Sequence, residues 1–375
     1  MRNKKSFIQF IVVLVVLFSM AGCKVGRFVW YNYSDITDHS IFPSRPLHKS
    51  AEPFRFVNAQ KNEAIESQVQ IMNYQRKAMS MKAFLEESPT VAFLVIRNDS
   101  LLYERYFDGY EESSTVASFS VAKSYVSALI GIAISDGKIK SENDIVTEYI
   151  PELKKNPGWD KVTIHHLLQM SSGVHFSEGY STPFSGAASF YYGRTLRKCL
   201  HNLKLEKEPM SGFEYKSVNS QLLGLILERA TGKNLTEYLD EKIWKPLQME
   251  YDASWSIDKK KDGLEKAFCC LNAKARDFAK FGRLYLNKGV WNGVEIVPSA
   301  WVEKSTEINK EKGAAWFYNR QWWVGSETQK DFSAIGHLGQ YIYVLPEKNL
   351  IIVRLGTSRA KEEWIGILRQ FAEQF

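Results

Sequence analysis

Ser120 and Lys123 stand three residues apart at the start of a long apolar segment. They lie in the stretch SFSVAKS (residues 118–124), which continues as YVSALIGIAIS. Residues at positions i and i+3 share one face of a helix, so the lysine amine can reach the serine hydroxyl. A buried lysine has a lowered pKa and can accept the proton whose removal makes serine a nucleophile. The pair therefore predicts a nucleophilic serine with a lysine base.

Spacing alone does not single out this pair, because S-x-x-K occurs four times in the chain. The pair Ser135/Lys138 lies at an Asp-Gly turn that ends a helix pattern. The pair Ser256/Lys259 leads into a run of lysines, and the pair Ser358/Lys361 lies in a polar loop. Only Ser120 opens an apolar helix pattern, whose N-terminus offers free N–H groups to a developing oxyanion. A capping serine followed by a lysine that extends to solvent is the alternative.

The elements that position the pair follow from apolar periodicity. TVAFLVIRNDSLLYERYF predicts a hairpin that turns at residues 98–100, and HLGQYIYVLPEKNLIIVRLG predicts a second hairpin that turns at residues 346–349. Helix patterns cover residues 62–85, the segment after Ser118, much of residues 141–299 and the C-terminus. We therefore expect an α/β fold of the α+β type. Its antiparallel sheet is built from N- and C-terminal segments with flanking helices, and a mostly helical subdomain is inserted.

Composition and charge narrow the class of protein. The chain has 375 residues, 45% hydrophobic and 24% charged, which is typical of a globular protein. The net charge is +7, and three of these positive charges are at the N-terminus, on Arg2, Lys4 and Lys5. The remaining excess of 7 − 3 = +4 forms no basic stripe, so nucleic-acid binding is not expected. The four cysteines, of which Cys269 and Cys270 are adjacent, indicate no disulfide framework and no metal-knuckle spacing.

The N-terminus has the pattern of an export signal. A basic start, MRNKK, precedes an apolar run over residues 7–21 that is short for a spanning helix of about 20 residues. The run ends in SMAGC, which resembles a bacterial lipobox and implies a lipid on Cys23. An uncleaved single anchor is the alternative. Both predict an extracytoplasmic, membrane-anchored protein of the cell envelope.

Further motifs follow Ser120 in a fixed order: VTIHHLLQMSSGV, FEYKSVNSQLLGLILERATG and GHLGQYIYVLPE. From about Pro89 to Gly356 the chain resembles the serine β-lactamase and penicillin-binding-protein superfamily. The resemblance is to its class C β-lactamase-related branch, with esterases, D-aminopeptidases and 6-aminohexanoate-dimer hydrolases. It implies a β-lactamase/transpeptidase-like fold. We expect a lipoprotein signal peptide at residues 1–22 and a spacer or strap at 23–60. One hydrolase domain would follow at 61–375, with its helical subdomain at about 141–299.

The resemblance also implies roles for individual residues. Ser120 would be the nucleophile that accepts the acyl group, Lys123 its base partner and Tyr215 a second proton-transfer group. Ser217 stands where the family's tyrosine motif usually has asparagine. Its hydroxyl can still hydrogen-bond Lys123 or a substrate amide, but not with the geometry of an amide group.

His337, Leu338 and Gly339 stand in the place of the family's lysine-threonine-glycine motif on an edge strand. The resemblance implies that Gly339 lets substrate lie close to that strand. The N–H of Gln340, together with that of Ser120, would form the oxyanion hole. His337 has a reference pKa of about 6.5 and is mostly neutral at pH 7, unlike the lysine that helps to bind the carboxylate of β-lactams. Whether His337 moves a proton or only shapes the pocket stays open.

These expectations combine into a serine hydrolase that cleaves a small ester or amide through an acyl-enzyme on Ser120. We expect no cofactor and no metal, since His165, His166 and His175 lack a ligand geometry. A peptidoglycan-acting D,D-peptidase or β-lactamase is one alternative, which the neutral His337 disfavours. A catalytically silent envelope binding module is the other. The substrate and the oligomeric state cannot be read from the sequence.

Overall fold

The structure, a computed structural model, describes residues 24–31, 33–180 and 182–375. These residues form thirteen α-helices: α1 Lys24–Tyr31, α2 Asn62–Gln68, α3 Met81–Glu87, α4 Ala122–Ser135, α5 Val146–Tyr149, α6 Ile164–Leu168, α7 Gly186–Tyr192, α8 Leu196–Leu200, α9 Ser217–Thr231, α10 Leu235–Leu239, α11 Ala275–Leu286, α12 Ser299–Thr306 and α13 Trp364–Gln374. They also form sixteen strands: β1 Ser44–Leu47, β2 Val57–Asn58, β3 Gln70–Met72, β4 Ala78–Ser80, β5 Thr90–Arg97, β6 Ser100–Tyr106, β7 Val116–Ala117, β8 Ala253–Ser256, β9 Leu271–Ala273, β10 Val290–Trp291, β11 Val294–Glu295, β12 Tyr318–Asn319, β13 Trp322–Val324, β14 Phe332–Gly336, β15 Gln340–Leu345 and β16 Leu350–Gly356.

One sheet joins the two ends of the chain, as predicted. Its order is β12-β13-β14-β15-β16-β5-β6-β2, and all neighbours are antiparallel except β2 and β6. Both predicted hairpins are present. The first turns at Asn98 and Asp99, and the second closes at Asn349, all three with positive φ. Short polar side chains tolerate this left-handed backbone, which is why the turns could be recognised. The predicted fold class is confirmed.

Both faces of this sheet are covered by helices. Along β16, Ile351 and Val353 belong to a core that includes α4, α9 and α11, while Leu350 and Ile352 belong to a core with α3 and α13. Successive strand residues point to opposite faces, so burial of both faces gives a continuous apolar run rather than an alternating one. The helix that begins next to Ser120 therefore lies in the larger core.

Helix α4 is buried over residues 122–133, on all sides. It packs against α9, α12 and strand β14 of the sheet that joins the two ends of the chain. A Cβ atom at Gly131 would overlap the ring of Trp301 in α12, so this position needs glycine. Such tight packing holds the start of the helix, and the residues around Ser120, in one place.

The predicted helix over residues 62–85 is wrong. Helix α2 ends at Gln68, the β3–β4 hairpin follows, and α3 starts only at Met81. The cause is the turn at Asn73, whose side-chain oxygen accepts hydrogen bonds from the backbone N–H groups of Gln75 and Lys77, both at 3.0 Å. An asparagine that bonds its neighbouring backbone in this way competes with helix formation.

Residues 23–60 were expected to be a spacer or strap. The described part of this segment contributes strands to two sheets. Strand β1 is the edge of a second sheet of order β1-β8-β9-β7, and β2 pairs with β6. Helix α1 packs against α7, with the rings of Phe28 and Tyr192 edge to face at 5.5 Å. The signal segment 1–22 and Cys23 lie outside the described residues. Within the described part of the chain, no helix has the length and apolar character needed to cross a membrane.

Candidate active site

Ser120 lies in a single 3-10 turn, Phe119–Val121, that leads into α4. The residue before it, Phe119, has a φ of 47°, in the left-handed region. For a bulky side chain this conformation costs on the order of 1–3 kcal/mol and persists only when packing enforces it. Here the Phe119 ring is buried and meets the His337 ring edge to face at 5.5 Å. The strained turn presents Ser120 at the helix start.

Lys123 is aimed at Ser120. Its Nζ donates to Ser120 Oγ at 2.8 Å, to Ser217 Oγ at 3.2 Å and to the Phe268 carbonyl at 2.8 Å. An ammonium group has three N–H donors, and these three acceptors use all of them. The side chain is 1% exposed. The predicted pair is therefore brought together, with Ser217 as a second partner of the lysine.

The surroundings of Lys123 favour its neutral form more than water does. Burial lowers the pKa of Lys123 to about 8, and the negative charge of Glu178 opposes that shift. With this pKa about one amine in ten is neutral at pH 7. A neutral amine 2.8 Å from Ser120 Oγ can accept the hydroxyl proton.

Tyr215 lies close to both Lys123 and Ser120. Lys123 Nζ is 5.1 Å from the centre of the Tyr215 ring, and the Ser120 side chain is near enough to affect the pKa of Tyr215. Burial raises the pKa of Tyr215 above its ordinary value, and the neighbouring Ser120 opposes that shift. The phenol is thus protonated at neutral pH and can donate. Trp323 and Tyr318 hold its ring, with centroids at 5.7 and 5.9 Å.

Glu178 is a member of this cluster that the sequence analysis missed. Ser217 is the first residue of α9, and its N–H donates to Glu178 Oε2 at 2.7 Å while its hydroxyl donates to Oε1. The carboxylate thus occupies the positive end of the helix. Burial raises the pKa of Glu178, while the charge of Lys123 and the bonds from Ser217 lower it. No spacing rule points to Glu178, because it lies in a loop 39 residues before Ser217.

The third acceptor for Lys123 belongs to an unusual loop. Phe268 is followed by Cys269 and Cys270, which form a disulfide although they are adjacent, and both are buried. The Trp255 indole N–H donates to the carbonyls of Lys266 and Cys269, each at 3.0 Å. These contacts fix the loop whose Phe268 carbonyl orients the lysine. The sequence analysis expected no disulfide framework, and this isolated link is the exception.

The expectation that residues 337–339 lie on an edge strand is wrong. They form a 3-10 turn between β14 and β15, which are interior strands of the sheet. Leu338 has a φ of 61° and Gly339 a φ of 89°, both incompatible with an extended strand. A Cβ at Gly339 would collide with the Arg354 guanidinium, which donates to the Gly339 carbonyl at 2.7 Å. Packing inside the protein is thus enough to require glycine here.

Gln340 closes this turn. Its side-chain amide donates to the carbonyls of His337 at 3.0 Å and Gly356 at 2.7 Å, and it accepts from the Gly356 N–H at 3.1 Å. The preceding strand end, Gly336, abuts the Ser118 carbonyl so closely that no Cβ fits. The turn and the nucleophile loop are therefore neighbours. An oxyanion hole from the N–H groups of Gln340 and Ser120 stays a prediction.

His337 lines the site as a neutral side chain. Tyr180 stacks on its ring with centroids 5.9 Å apart and planes at 14°, although part of the imidazole is exposed. Burial of the ring face and the charge of Arg359 lower the pKa of His337. It therefore carries little charge at pH 7. Tyr180 is a second residue that the sequence analysis missed.

The predicted site residues form two adjacent groups. The first group lies at the starts of α4 and α9 and comprises Ser120, Lys123, Tyr215 and Ser217. The second group is the turn that contains His337, Gly339 and Gln340, and it lies beside the first. Cys23 is outside the described residues. Within the described residues, no three His, Cys, Asp or Glu side chains are placed to hold a metal ion. The arrangement can activate a hydroxyl for attack on a carbonyl carbon.

Comparisons with known proteins identify the family of this chain. The sequence profile of the β-lactamase family matches residues 80–366. The 6-aminohexanoate-dimer hydrolase of Paenarthrobacter ureafaciens is 31% identical over 294 residues, 73% of this chain and 74% of the relative. A structure described as "Putative 6-aminohexanoate-dimer hydrolase from Bacillus anthracis" matches with a TM-score of 0.81 and 27% identity, over 92% of this chain and 93% of the other. A "Putative D-alanyl-D-alanine carboxypeptidase" of Escherichia coli (strain K12) is 25% identical over 186 residues, 44% of this chain and 42% of the relative.

Proposed function

Because the chain belongs to the β-lactamase family of serine hydrolases, we propose that it cleaves a small amide or ester through an acyl-enzyme on Ser120. One observation carries the proposal. Lys123 Nζ lies 2.8 Å from Ser120 Oγ in a buried setting that lowers the pKa of Lys123 to about 8. A base is most effective when its pKa lies near the working pH.

Acylation uses three groups. Neutral Lys123 takes the proton of Ser120 as Oγ attacks the substrate carbonyl carbon, and the oxyanion accepts hydrogen bonds from the N–H groups of Ser120 and Gln340. The Tyr215 hydroxyl gives its proton to the leaving nitrogen or oxygen, and the tyrosine regains a proton from protonated Lys123. The bond to the leaving group then breaks. The acyl group is left on Ser120 as an ester.

Deacylation reverses the roles with water as nucleophile. Water attacks the acyl carbon, and its proton passes to Lys123, which is neutral because it returned its proton to Tyr215 at the end of acylation. The bond to Ser120 Oγ breaks, and Oγ recovers a proton from the same pair. The products are a carboxylic acid and a free enzyme. No cofactor takes part in these steps.

We favour small amides and esters other than β-lactams as substrates. The relative from Paenarthrobacter ureafaciens acts, by its name, on a 6-aminohexanoate dimer, whose units are joined by an amide. A D,D-peptidase activity is the second candidate, favoured by the Escherichia coli relative. The lowered pKa of His337 weighs against it, since this turn then lacks a cationic motif residue.

Turnover of a substrate panel by the wild type and Ser120→Ala tests the proposal. The panel comprises p-nitrophenyl acyl esters, D-amino-acid amides, 6-aminohexanoate dimer and nitrocefin. We expect Ser120→Ala to abolish hydrolysis with nearly unchanged thermal stability. The matched control is Ser124→Ala, which removes a neighbouring hydroxyl bonded to the Gln321 carbonyl at 2.8 Å and keeps the nucleophile. Hydrolysis by Ser120→Ala would rule out the acyl-enzyme.

A fluorophosphonate probe separates an enzyme from a silent binding module. The probe reacts with an activated serine, so the peptide with Ser120 gains its mass in wild type and not in Ser120→Ala. An unlabelled wild type would favour the binding module.

We further propose that the protein is an envelope lipoprotein with its lipid on Cys23. The basic start, the apolar run and SMAGC support this location. Metabolic labelling with palmitate and membrane fractionation test it on the full chain. We expect Cys23→Ala to lose both the label and full membrane partitioning. Full partitioning of Cys23→Ala would point to an uncleaved anchor.

A further inference from the structure

Helix α1 buries a charged side chain and exposes apolar ones. Arg27 is 4% exposed, whereas Val29 is 63% and Trp30 is 78% exposed. Tyr33, two residues after the helix, is 72% exposed. A helix on the surface of a protein in water has the opposite pattern, with its apolar side chains toward the core and its charges outside. The surface formed by Val29, Trp30 and Tyr33, here called the Trp30 surface, is therefore suited to an apolar partner.

The inner side of α1 is held by aromatic rings. The Arg27 guanidinium carbon lies 5.7 Å from the centre of the Phe42 ring and 5.8 Å from that of Tyr31. Its Nε and Nη1 atoms are buried without a hydrogen-bond partner among the described residues. Burial of these donors costs free energy, which cation–π contacts offset only in part. Water on the outer side of α1 gives no compensation for this orientation, whereas an apolar medium there does.

The sequence before α1 indicates which apolar medium this is. The apolar run of residues 7–21 ends in SMAGC, and α1 begins at Lys24, directly after Cys23. With a lipid on Cys23, or with the run kept as an anchor, the chain leaves the bilayer at the start of α1. Trp30 lies six residues after Lys24, roughly 9 Å along the helix axis. Such a short tether keeps the Trp30 surface within reach of the lipid headgroups.

The composition of the surface suits the boundary between lipid and water. Tryptophan and tyrosine are the residues enriched at that boundary. Residues 24–33, KVGRFVWYNY, contain no acidic side chain that would repel anionic headgroups. Burial lowers the pKa of Arg27, and the charge of the exposed Arg194 lowers it further, so Arg194 lies near α1. A cation beside the apolar surface favours a membrane with anionic lipids.

Helix α7 connects α1 to the nucleophile. It packs against α1, and its Tyr191 ring stacks on that of Phe119 with centroids 6.4 Å apart. The Tyr191 hydroxyl donates to Asp38 Oδ2 at 2.7 Å, which fixes the ring. Phe119 directly precedes Ser120. A surface that holds α1 in place therefore also sets the position of the Ser120 site relative to that surface.

We propose that the Trp30 surface lies in the headgroup layer of the membrane that anchors the chain. The bilayer is then a second attachment besides Cys23, and it holds the hydrolase domain in one orientation on the membrane. This inference rests on the proposed membrane anchorage. It goes beyond it, because a lipid on Cys23 alone would leave the domain free to rotate in water.

Quenching by brominated lipids tests the proposal on the full chain. Wild type, Trp30→Phe and Trp316→Phe are reconstituted into vesicles of phosphatidylcholine and phosphatidylglycerol, with plain or dibrominated acyl chains, and recovered by flotation. Bromine quenches the fluorescence of an indole only at short range. Trp316 is the matched control, because it is 52% exposed and lies in the distant segment between α12 and β12.

We expect brominated lipid to remove the emission of one tryptophan among the ten of the chain, about a tenth of the total, in wild type and in Trp316→Phe. Trp30→Phe should lose little or none. Phenylalanine keeps the surface apolar, so the variant should fold and float like wild type. Equal quenching of wild type and Trp30→Phe, or no quenching of either, overturns the Trp30 surface.

A water-soluble quencher shows what covers Trp30. The emission of Trp30, taken as wild type minus Trp30→Phe, is titrated with acrylamide in the same vesicles. Shielding from acrylamide together with quenching by lipid supports the proposal. Shielding without lipid quenching means that a second copy or another part of the chain covers the surface, and free access means that it stays in water. Either result overturns the proposal.

The failures of the separate proposals are distinguishable in the same samples. Flotation without lipid quenching of Trp30 overturns the Trp30 surface and leaves the anchorage intact. A wild type that does not float with the vesicles overturns the anchorage, and the Trp30 surface with it. Fluorophosphonate labelling of Ser120 reports on the hydrolase independently of both.

Discussion

Two lysines of this protein are equally buried but have opposite surroundings. Lys123 on α4 is 1% exposed and Lys280 on α11 is 0% exposed. The Nζ atom of Lys280 lies 3.3 Å from carboxylate oxygens of both Asp277 and Glu250. The Nζ atom of Lys123 has only neutral oxygens within hydrogen-bonding distance. Burial lowers the pKa of both lysines, and only Lys280 has two adjacent carboxylates that oppose it.

This difference in neighbouring charges explains why Lys123 can act as a base, whereas Lys280 forms ion pairs. A lysine held by two carboxylates keeps its proton, because their charges stabilise the ammonium form. At Lys123 the nearby carboxylate, Glu178, is bonded to Ser217, which lies between the two charges. The neutral amine is thereby accessible near pH 8, and its partner is a hydroxyl. Burial alone does not distinguish these two lysines, whereas the charge of the oxygen atoms around each Nζ does.

The largest effect is expected for Lys123→Met. Loss of the base should lower kcat/KM about 10³-fold, within the usual range for a positioned proton acceptor. The free energy of unfolding should stay equal or rise, because a desolvated amine is replaced by an apolar chain of similar length. Ester hydrolysis and thermal melts measure the two effects. Substantial activity in Lys123→Met would mean that another group takes the proton of Ser120.

Lys280→Met should lower the stability of the protein and leave its activity unchanged, which is the reverse of the result expected for Lys123→Met. Asp277 and Glu250 would be left buried without their cation, which lowers the free energy of unfolding by about 3–5 kcal/mol. The kcat per folded molecule should not change, because Lys280 is not part of the Ser120 cluster. Urea unfolding measures the loss, and Lys280→Met with Asp277→Asn should recover part of it. Wild-type stability in the single variant would contradict the ion-pair role.

The local parts of this architecture could be predicted from the sequence. Asn98-Asp99 and Pro346–Asn349 mark turns through backbone preferences of single residues, and the apolar pattern after Ser118 marks α4. The contact of Lys123 with Ser120 follows from helix geometry once the helix is known.

The features that could not be predicted depend on contacts between residues far apart in the chain. Glu178 meets Ser217 across 39 residues, and Arg359 meets Gly336 across 23, so no periodicity signals either contact. The strand expected at residues 337–339 is a turn, because two positive φ angles and the Arg354 guanidinium set its shape. Side chains that act through tertiary packing have no local pattern to reveal them.

Ser217→Ala tests how the neutral acceptors hold Lys123. The variant removes one of the three acceptors of Nζ and one of the two bonds to Glu178. We expect kcat to fall about tenfold, the equivalent of one modest hydrogen bond in the transition state. Steady-state hydrolysis measures it, with Ser220→Ala, a buried serine one turn further along α9, as control. Equal losses in both variants would indicate a general packing defect.

The smallest effect is expected in the pH profile of Glu178→Gln. Hydrolysis needs neutral Lys123, so kcat/KM for a neutral ester should rise with pH through the pKa of about 8. The negative charge of Glu178 stabilises the ammonium form and so raises this pKa. Glutamine keeps an acceptor oxygen but not the charge. The rise should therefore move to lower pH, by roughly half to one unit.

Glu206→Gln is the control for this shift. Glu206 is paired with Lys216, next to Ser217 in the chain, and makes no contact with Lys123 in the described structure. Its removal should leave the profile in place, because water screens a charge at the surface. A Glu178→Gln variant whose kcat/KM no longer rises with pH would mean that the carboxylate, rather than Lys123, governs the rise. In that case the two buried lysines would differ in their partners without differing in their ability to give up a proton.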